Sequence, residues 1–150
     1  MPRYIELSQI KSTKTKTKFH KLCYWVRGTI QVSYYLDAEV VGETLEFVSQ
    51  SSHNESAIAF DYTISVSGEI INQYGVKEFF LSMKEHHHDE SLMFAIDEGK
   101  IELYLEQRGL EIIDHLGNNE IEREFLVIEN GSLIGRVTGH FRFVLALPKR

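Results

Sequence analysis

The chain has 150 residues, which is enough for one domain with a hydrophobic core. Its apolar content of 43% and charged content of 25% are typical of a globular protein and exclude a disordered one. The formal net charge of −6 argues against a general nucleic-acid binder, because such a protein needs a dominant basic face.

Cysteine content and hydropathy indicate the compartment. The one cysteine, Cys23, excludes an internal disulfide framework, and its apolar surroundings are typical of a buried, inert thiol. The start of the chain lacks the apolar core of a signal peptide, and no segment approaches the roughly 20 continuous apolar residues of a membrane span. We therefore predict a soluble, cytoplasmic protein with neither a membrane nor a nucleic acid as partner.

The chain is predicted to divide into a basic, polar N-terminal arm, residues 1–18, and a domain, residues 19–150. Within the arm, the run "KSTKTKTK" alternates lysine with serine and threonine and buries nothing. Such a run is either solvated or a contact for phosphate or for an acidic partner.

The domain is predicted to open with a strand, a helix and a second strand. The apolar and aromatic run "FHKLCYWV" from Phe19 favours the first strand. Asp37 is a good N-cap for the helix that follows. The near-continuous apolar run "SAIAFDYTI" has the length of a buried strand. The predicted apolar face of the helix consists of Val40, Val41, Leu45 and Val48.

Two helices are predicted next, in "GEIINQYGVKEFFLSMK", where Gly75 weakens the pattern, and after Asp97 as N-cap, with Gly109 as the stop. A strand, "LEIIDHLG", a short helix with an asparagine cap and a last strand, "HFRFVLAL", complete the chain. In that last strand the phenylalanines share one face and Arg142 marks the other.

This order of elements, β-α-β-α-α-β-α-β, predicts an α/β fold with a mainly parallel sheet and helices on both faces. Four strands are about half of a usual doubly wound sheet. We therefore expect one sheet edge to lack a partner strand.

Several blocks resemble one family. The block "YWVRGTIQVSYYLDAEVVGETLEFVSQSS", followed by "SAIAFDY", is similar to a stretch of the leucine carboxyl methyltransferase family, which are S-adenosylmethionine-dependent O-methyltransferases with a Rossmann-like fold. "MFAIDEGKIELYLEQRGLEIIDHLGNNEIEREFL" resembles a later stretch of that family. The ending "GRVTGHFRFVLAL" resembles its last, antiparallel strand. Together these blocks cover residues 19–150.

The resemblance implies the C-terminal half of a partial Rossmann-like methyltransferase sheet, mainly parallel with an antiparallel C-terminal strand. It implies S-adenosylmethionine as cofactor and a carboxyl or hydroxyl group of a small molecule as acceptor. It places Arg27 and Gly28 at the cofactor and Tyr35, Asp61 and Tyr62 at the substrate. The glycine-rich turn that holds the cofactor in such folds is absent from the sequence. We therefore expect a truncated chain, incomplete or inactive alone.

Arg27 stands where the family typically has a glutamate. A guanidinium within about 4 Å of the sulfonium would cost roughly 1 to 4 kcal/mol through like-charge repulsion. Arg27 is thus either a solvated side chain at a decayed site or the partner of a substrate carboxylate.

Other polar groups have competing interpretations. Asp61 either orients a substrate or caps the following helix, and Asp114 with His115 would be an acid–base pair only if the two side chains shared a face, which neighbours in a strand do not. The run "KEHHHDE" offers metal ligands in histidines 86–88, Asp89 and Glu90, but consecutive residues cannot all converge on one ion, so no metal site is predicted.

Two further hypotheses compete with a methyltransferase. The chain could be a non-catalytic interaction module whose open sheet edge is covered by a second copy, as a homodimer, or by a separately encoded N-terminal half. Alternatively, histidines 86–88 could store or sense a metal.

Overall fold

The computed structural model describes residues 36–53, 56–86 and 94–149, together with the backbone of residues 23–25. Four strands form one sheet: β1 (Cys23–Trp25), β2 (Ala57–Thr63), β3 (Leu110–Gly117) and β4 (Phe141–Pro148). Four α-helices accompany it: α1 (Ala38–Ser51), α2 (Val76–His86), α3 (Ile101–Glu106) and α4 (Asn118–Phe125). A 3₁₀ helix, Gly68–Asn72, precedes α2.

The strands lie in the order β1-β2-β4-β3. Strand β4 pairs antiparallel with β2 on one side and with β3 on the other, and only the three-residue β1 pairs in parallel, with β2. The predicted mainly parallel, Rossmann-like sheet is therefore wrong. The alternation of helices and strands does not reveal that the last strand inserts between β2 and β3, and this insertion makes the longer pairings antiparallel.

Helix α1 begins where the sequence predicts. The Asp37 carboxylate accepts a hydrogen bond of 2.9 Å from the Val40 amide, which satisfies one of the free amides of the first turn. Val41 and Leu45 are buried and Val48 packs against the core, but Val40 is 39% exposed, so the predicted apolar face is one residue too wide.

The later helices depart from their predicted limits. Gly75, with φ +70°, separates the 3₁₀ helix from α2 where the pattern weakens. Helix α3 begins at Ile101 with Lys100 as N-cap, so the predicted Asp97 cap is wrong; Asp97 instead forms an ion pair of 3.1 Å with Lys100. Gly117, rather than an asparagine, is the N-cap of α4.

The core lies between one face of the sheet and the helices α1 and α3. On the sheet side it is built by alternate residues of β2 and β4, as the period of two in a strand requires. A parallel bridge between Ile64 and Ile96 extends β2 beyond its end. The core residues are Val41, Leu45, Ile58, Phe60, Tyr62, Ile64, Phe94, Ile96, Ile101, Leu105, Leu110, Val144 and Ala146.

The alternation predicted for β4 is present, but its two faces differ from the expected polarity. The face that carries Arg142 and Val144 is buried, whereas Phe143 and Leu145 on the other face are only half-buried. Each residue of β4 is matched to β2 by the register, in which Tyr62 lies opposite Arg142 and Asp61 opposite Phe143. Tyr62 and Asp61 therefore project to opposite faces of the sheet.

Candidate functional site: a tyrosine–histidine pair at the strand ends

The carboxyl ends of β2 and β3 flank the start of β4. In the register, Thr63 of β2 lies opposite Phe141, and Gly117 of β3 lies opposite Arg142. This end of the sheet collects the polar side chains of three strands, and it contains two of the predicted substrate residues, Asp61 and Tyr62.

Tyr62 is hydrogen-bonded to His115 across β4. Tyr62 Oη lies 2.9 Å from His115 Nε2, and the two rings stack with centroids 5.9 Å apart and 17° between their planes. Tyr62 is only 4% exposed, whereas His115 on the edge strand β3 is exposed to solvent. The pair thus joins a buried phenol to an accessible imidazole, and the partner of His115 is Tyr62 rather than Asp114.

Arg142 lies beneath this pair, and both of its terminal nitrogens have partners. Its Nη1 donates to the carbonyls of Gly139 and Phe141, at 2.8 Å each, and its Nη2 lies 3.3 Å from Glu98 Oε1. A buried guanidinium requires such partners, because an unpaired buried charge is strongly destabilising. Arg142 therefore holds the turn before β4 and contributes a fixed positive charge beneath the site.

Burial and charge determine the protonation of the pair. Burial raises the pKa of Tyr62 to about 12; the charge of Arg142 lowers it and that of Glu98 raises it, both to a smaller extent. Burial, followed by the charge of Arg142, lowers the pKa of His115, against the opposing effect of nearby carboxylates. The carboxylates that raise the pKa of His115 are those of Glu102, Asp114 and Glu120. At neutral pH the Tyr62 phenol is protonated and the His115 imidazole is neutral.

A neutral imidazole offers one donor and one acceptor. With its proton on Nε2, His115 donates to Tyr62 Oη and keeps the lone pair of Nδ1 for another group. With its proton on Nδ1, it accepts from the Tyr62 hydroxyl. The first tautomer can accept a proton at Nδ1, so the arrangement can perform general base chemistry.

Asp61 does not join the pair. Its Oδ1 is buried and has no hydrogen-bond partner among the described residues. Burial raises the pKa of its carboxyl to about 6, against a smaller lowering by its own backbone amide. Because Asp61 lies inside β2, it does not cap the following helix, and that interpretation is wrong. Ser67 is the N-cap of the 3₁₀ helix that comes next.

His140 forms a second unusual group at this end of the sheet. It is fully buried, and neither ring nitrogen has a hydrogen-bond partner within the part of the chain that the structure describes. The rings of Phe79, Phe80 and Phe141 surround it, with centroids 4.9, 5.6 and 5.1 Å away. Burial, and to a smaller extent the charge of Arg142, lowers the pKa of His140 to about 4. His140 is therefore neutral and packs as an aromatic ring.

The remaining predicted residues, Arg27, Gly28 and Tyr35, lie outside the described residues.

The described glycines show whether this part of the chain has a turn that could hold S-adenosylmethionine. Those with positive φ each stand alone in a turn, whereas a nucleotide cradle needs several small residues in one strand-to-helix turn. The described part of the chain thus does not fit the cofactor. These glycines are Gly68, Gly75, Gly99, Gly109 and Gly131.

Of the three consecutive histidines, only His86 lies within the described ranges. His86 is the last residue of α2, and residues 87–93 lie outside the described ranges. Within those ranges, no three His, Cys, Asp or Glu side chains come together as metal ligands.

Two open pockets lie at the opposite end of the sheet from Tyr62 and His115. One, of about 220 Å³, lies beside the start of β3 and is bordered by Glu102, Glu111 and Ile112. The other, of about 360 Å³, lies between α1 and the turn at Gly109. Lys149 borders both, and neither is lined by a predicted site residue.

Comparison with known proteins adds no family assignment. No protein-family profile matches the chain, and no curated protein matches it. None of the helices in the described ranges is long and apolar enough to cross a bilayer.

The sequence did not indicate the partner of Tyr62. The sequence gives only a weak indication that His115 and Arg142 belong to a functional site, namely that each is a polar residue in an apolar strand. Their convergence with Tyr62 depends on the insertion of β4 between β2 and β3, which no local pattern encodes.

Proposed function

We propose that this chain is the acceptor-binding half of an S-adenosylmethionine-dependent O-methyltransferase related to the leucine carboxyl methyltransferase family. The observation that supports this is the hydrogen bond between Tyr62 and His115. It joins the "SAIAFDY" block, one of the segments that resemble that family, to an accessible neutral imidazole. The proposal depends on these local blocks and on the pair, not on a parallel sheet.

His115 serves as the base in this proposal. Transfer of a methyl group to a hydroxyl requires the hydroxyl proton to leave, and His115 Nδ1 can take it when Nε2 donates to Tyr62. The imidazole becomes imidazolium as the acceptor oxygen loses its proton. Carboxylates at Glu102, Asp114 and Glu120 partly offset the effects of burial and of Arg142, which disfavour that positive charge and lower the pKa of the ring.

The need for a base favours one class of acceptor. A hydroxyl has to lose its proton when it is methylated, whereas an ionised carboxylate would need no base. We therefore infer a neutral alcohol or phenol as acceptor rather than a carboxylate.

In this proposal the methyl donor is held by another polypeptide, because the sequence has no glycine-rich turn of the kind that holds this cofactor. In this proposal a separately encoded N-terminal half carries the glycine-rich turn, and the donor supplies the methyl group when bound there. Tyr62 and His115 contribute only proton transfer and orientation of the acceptor.

Isothermal titration calorimetry tests the division of labour. The purified chain alone is expected to show no binding of S-adenosylmethionine at concentrations up to about 1 mM. A dissociation constant in the low micromolar range would overturn the assignment of donor binding to a second polypeptide.

A methyl-incorporation assay tests the role of His115. Purified chain is added to an extract of cells that lack its gene, with tritiated S-adenosylmethionine, and base-labile and base-stable methyl groups are counted separately. The chain is expected to raise base-stable incorporation, as an ether requires, and His115→Gln is expected to abolish the increase. His86→Gln, a control at the exposed end of α2, should retain it. No increase with the wild-type chain, or an equal increase with His115→Gln, would contradict the proposal.

A further inference from the structure

Asn130 lies at the turn of a short hairpin between α4 and β4, and Gly131 follows it in the chain. The two arms of the hairpin pair at Val127 and Leu133, and both turn residues are exposed to solvent. A bond from the Gly131 backbone nitrogen to the Asn130 side-chain carbon Cγ would close a five-membered ring, and glycine has no Cβ to hinder this closure. The turn therefore carries both partners of an intramolecular attack on the Asn130 amide.

A hydrogen bond holds the Asn130 side chain against the turn. The backbone amide of Ser132 donates to Asn130 Oδ1 at 2.8 Å. Such a donor withdraws electron density from Cγ and stabilises the negative charge that develops on Oδ1 when a nucleophile adds to the carbon. The hairpin thus activates the Asn130 side chain for nucleophilic attack.

The nucleophile, the backbone nitrogen of Gly131, is protected while the turn is closed. Its N–H donates to the Ile128 carbonyl at 2.8 Å, and this bond retains the proton that has to leave before the nitrogen can attack. One further bond closes the turn, from the Ile128 amide to the Ser132 carbonyl at 3.0 Å. Because the turn is exposed, these two bonds can open without unfolding of the sheet.

We propose that Asn130 is a site of spontaneous deamidation in the folded chain, and that local opening of the hairpin turn sets the rate. The Gly131 nitrogen gives its proton to hydroxide and forms a bond to Asn130 Cγ. The bond from Cγ to Nδ2 breaks, and Nδ2 leaves as ammonia with a proton from water. Water then opens the resulting succinimide ring to aspartate or isoaspartate. In sum, one water is consumed and one ammonia is released, without oxidation or reduction.

Both products change the hairpin. Each replaces a neutral amide by a carboxylate next to Glu129, and like charges at such a separation repel one another. In isoaspartate the main chain runs through the former side chain and is longer by one methylene, so the bond between Ile128 and Ser132 loses its register. Neither Tyr62 nor His115 takes part, so the modification is independent of the methyl-transfer proposal.

Tryptic peptide mapping during incubation of the purified chain at pH 8 and 37 °C tests the site. Cleavage after Arg123 and Arg136 places Asn130 alone in the peptide 124–136, whereas the peptide 109–123 contains Asn118 and Asn119 as internal controls. The first peptide is expected to convert to aspartate and isoaspartate forms at least about tenfold faster than the second. Equal rates for the two peptides would overturn the proposal. A digest at time zero gives the baseline.

The same incubation in guanidinium chloride separates local opening from global unfolding. A folded protein is globally unfolded for only about 10⁻³ to 10⁻⁶ of the time. If the turn opens locally, deamidation of Asn130 in the folded chain should be slower than in the unfolded chain by less than about a thousandfold. A larger reduction would overturn the local route. Circular dichroism verifies that the chain without denaturant stays folded.

Gly131→Ala tests the chemistry of the attack. The added Cβ meets open space but hinders ring closure, so deamidation of Asn130 is expected to slow at least about tenfold in guanidinium chloride, where the turn is absent. Gly99→Ala is the matched control, because Gly99 has a similar φ of +79° against +82° and its Cβ also meets open space. That variant should deamidate at Asn130 like the wild type. Equal rates for the two variants would contradict attack by the Gly131 nitrogen.

Discussion

Tyr62 Oη lies 2.9 Å from His115 Nε2, although the two residues stand on strands that β4 separates. In the register Tyr62 lies opposite Arg142, whereas His115 lies opposite Val144. The Tyr62 side chain therefore reaches diagonally across β4 to His115. The hydrogen bond therefore connects the edge strand β3 to the inner strand β2 and also fixes the orientation of the His115 imidazole.

Replacement of Tyr62 by phenylalanine removes this hydrogen bond and retains the buried ring. We expect Tyr62→Phe to lower the free energy of unfolding by about 1 kcal/mol, measured by urea denaturation. Tyr74→Phe is the control, because Tyr74 is half exposed and its ring remains available to the Arg136 guanidinium, 3.8 Å from the centroid. Equal effects of the two substitutions would show that the hydrogen bond contributes nothing to stability.

The sequence predicts individual elements better than their arrangement. Local chemistry determines the start of α1, where the Asp37 side chain caps the helix, and the break at Gly75 before α2. The direction and position of β4 depend instead on non-local pairing, and its apolar alternation fits a parallel or an antiparallel neighbour equally well. The same non-local pairing brings His115 to Tyr62, so the candidate site could be predicted at Tyr62 but not at His115.

His140 should make the fold sensitive to acid. The unfolded chain binds a proton at the imidazole near pH 6.5, whereas the folded chain, with a pKa of about 4, binds it only at lower pH. Protonation therefore favours the unfolded state as the pH falls from 6.5 to 4, and wild-type stability should decrease by about 3 kcal/mol through this group.

His140→Leu tests this expectation, since leucine fits the phenylalanine surroundings and has no polar atoms to satisfy. At pH 7 the variant should be more stable than the wild type by about 1 kcal/mol, because an unpartnered buried polar group is removed. The advantage should grow as the pH falls to 4 in urea denaturation at a series of pH values. A constant difference across that range would show that His140 does not titrate with unfolding.

Asp61 should act in the opposite direction in the same pH range. Its folded pKa of about 6 exceeds the usual 3.8, so the folded state binds the proton more tightly, and the carboxylate is destabilising above pH 6. Asp61→Asn should therefore raise the free energy of unfolding by about 1–2 kcal/mol at pH 8, an amount reduced because Asp61 is partly exposed. The gain should shrink to a fraction of this by pH 4, where the folded carboxyl is neutral and the unfolded one is close to its own pKa of 3.8. A gain of unchanged size at pH 4 would assign the effect to packing rather than to charge.

Gly75 combines a left-handed backbone with a close neighbour. Its φ is +70°, and an added Cβ would lie 2.8 Å from Thr138 Cγ2. Gly99 has a similar φ of +79°, but open space surrounds the position of its Cβ. Gly99→Ala should thus lower the free energy of unfolding by about 1 kcal/mol, the cost of the backbone conformation alone.

Gly75→Ala should cost more than this, by roughly 1 kcal/mol, because the turn before β4 has to shift away from the new methyl group. That turn is fixed by the hydrogen bond from the Gly139 amide to the Tyr74 carbonyl, at 2.8 Å, and by Arg142, so it can move little. Thermal and urea denaturation of the two variants measure the difference. Equal costs would mean that Thr138 rotates away freely, and that the contact between Gly75 and the turn before β4 does not constrain the candidate site.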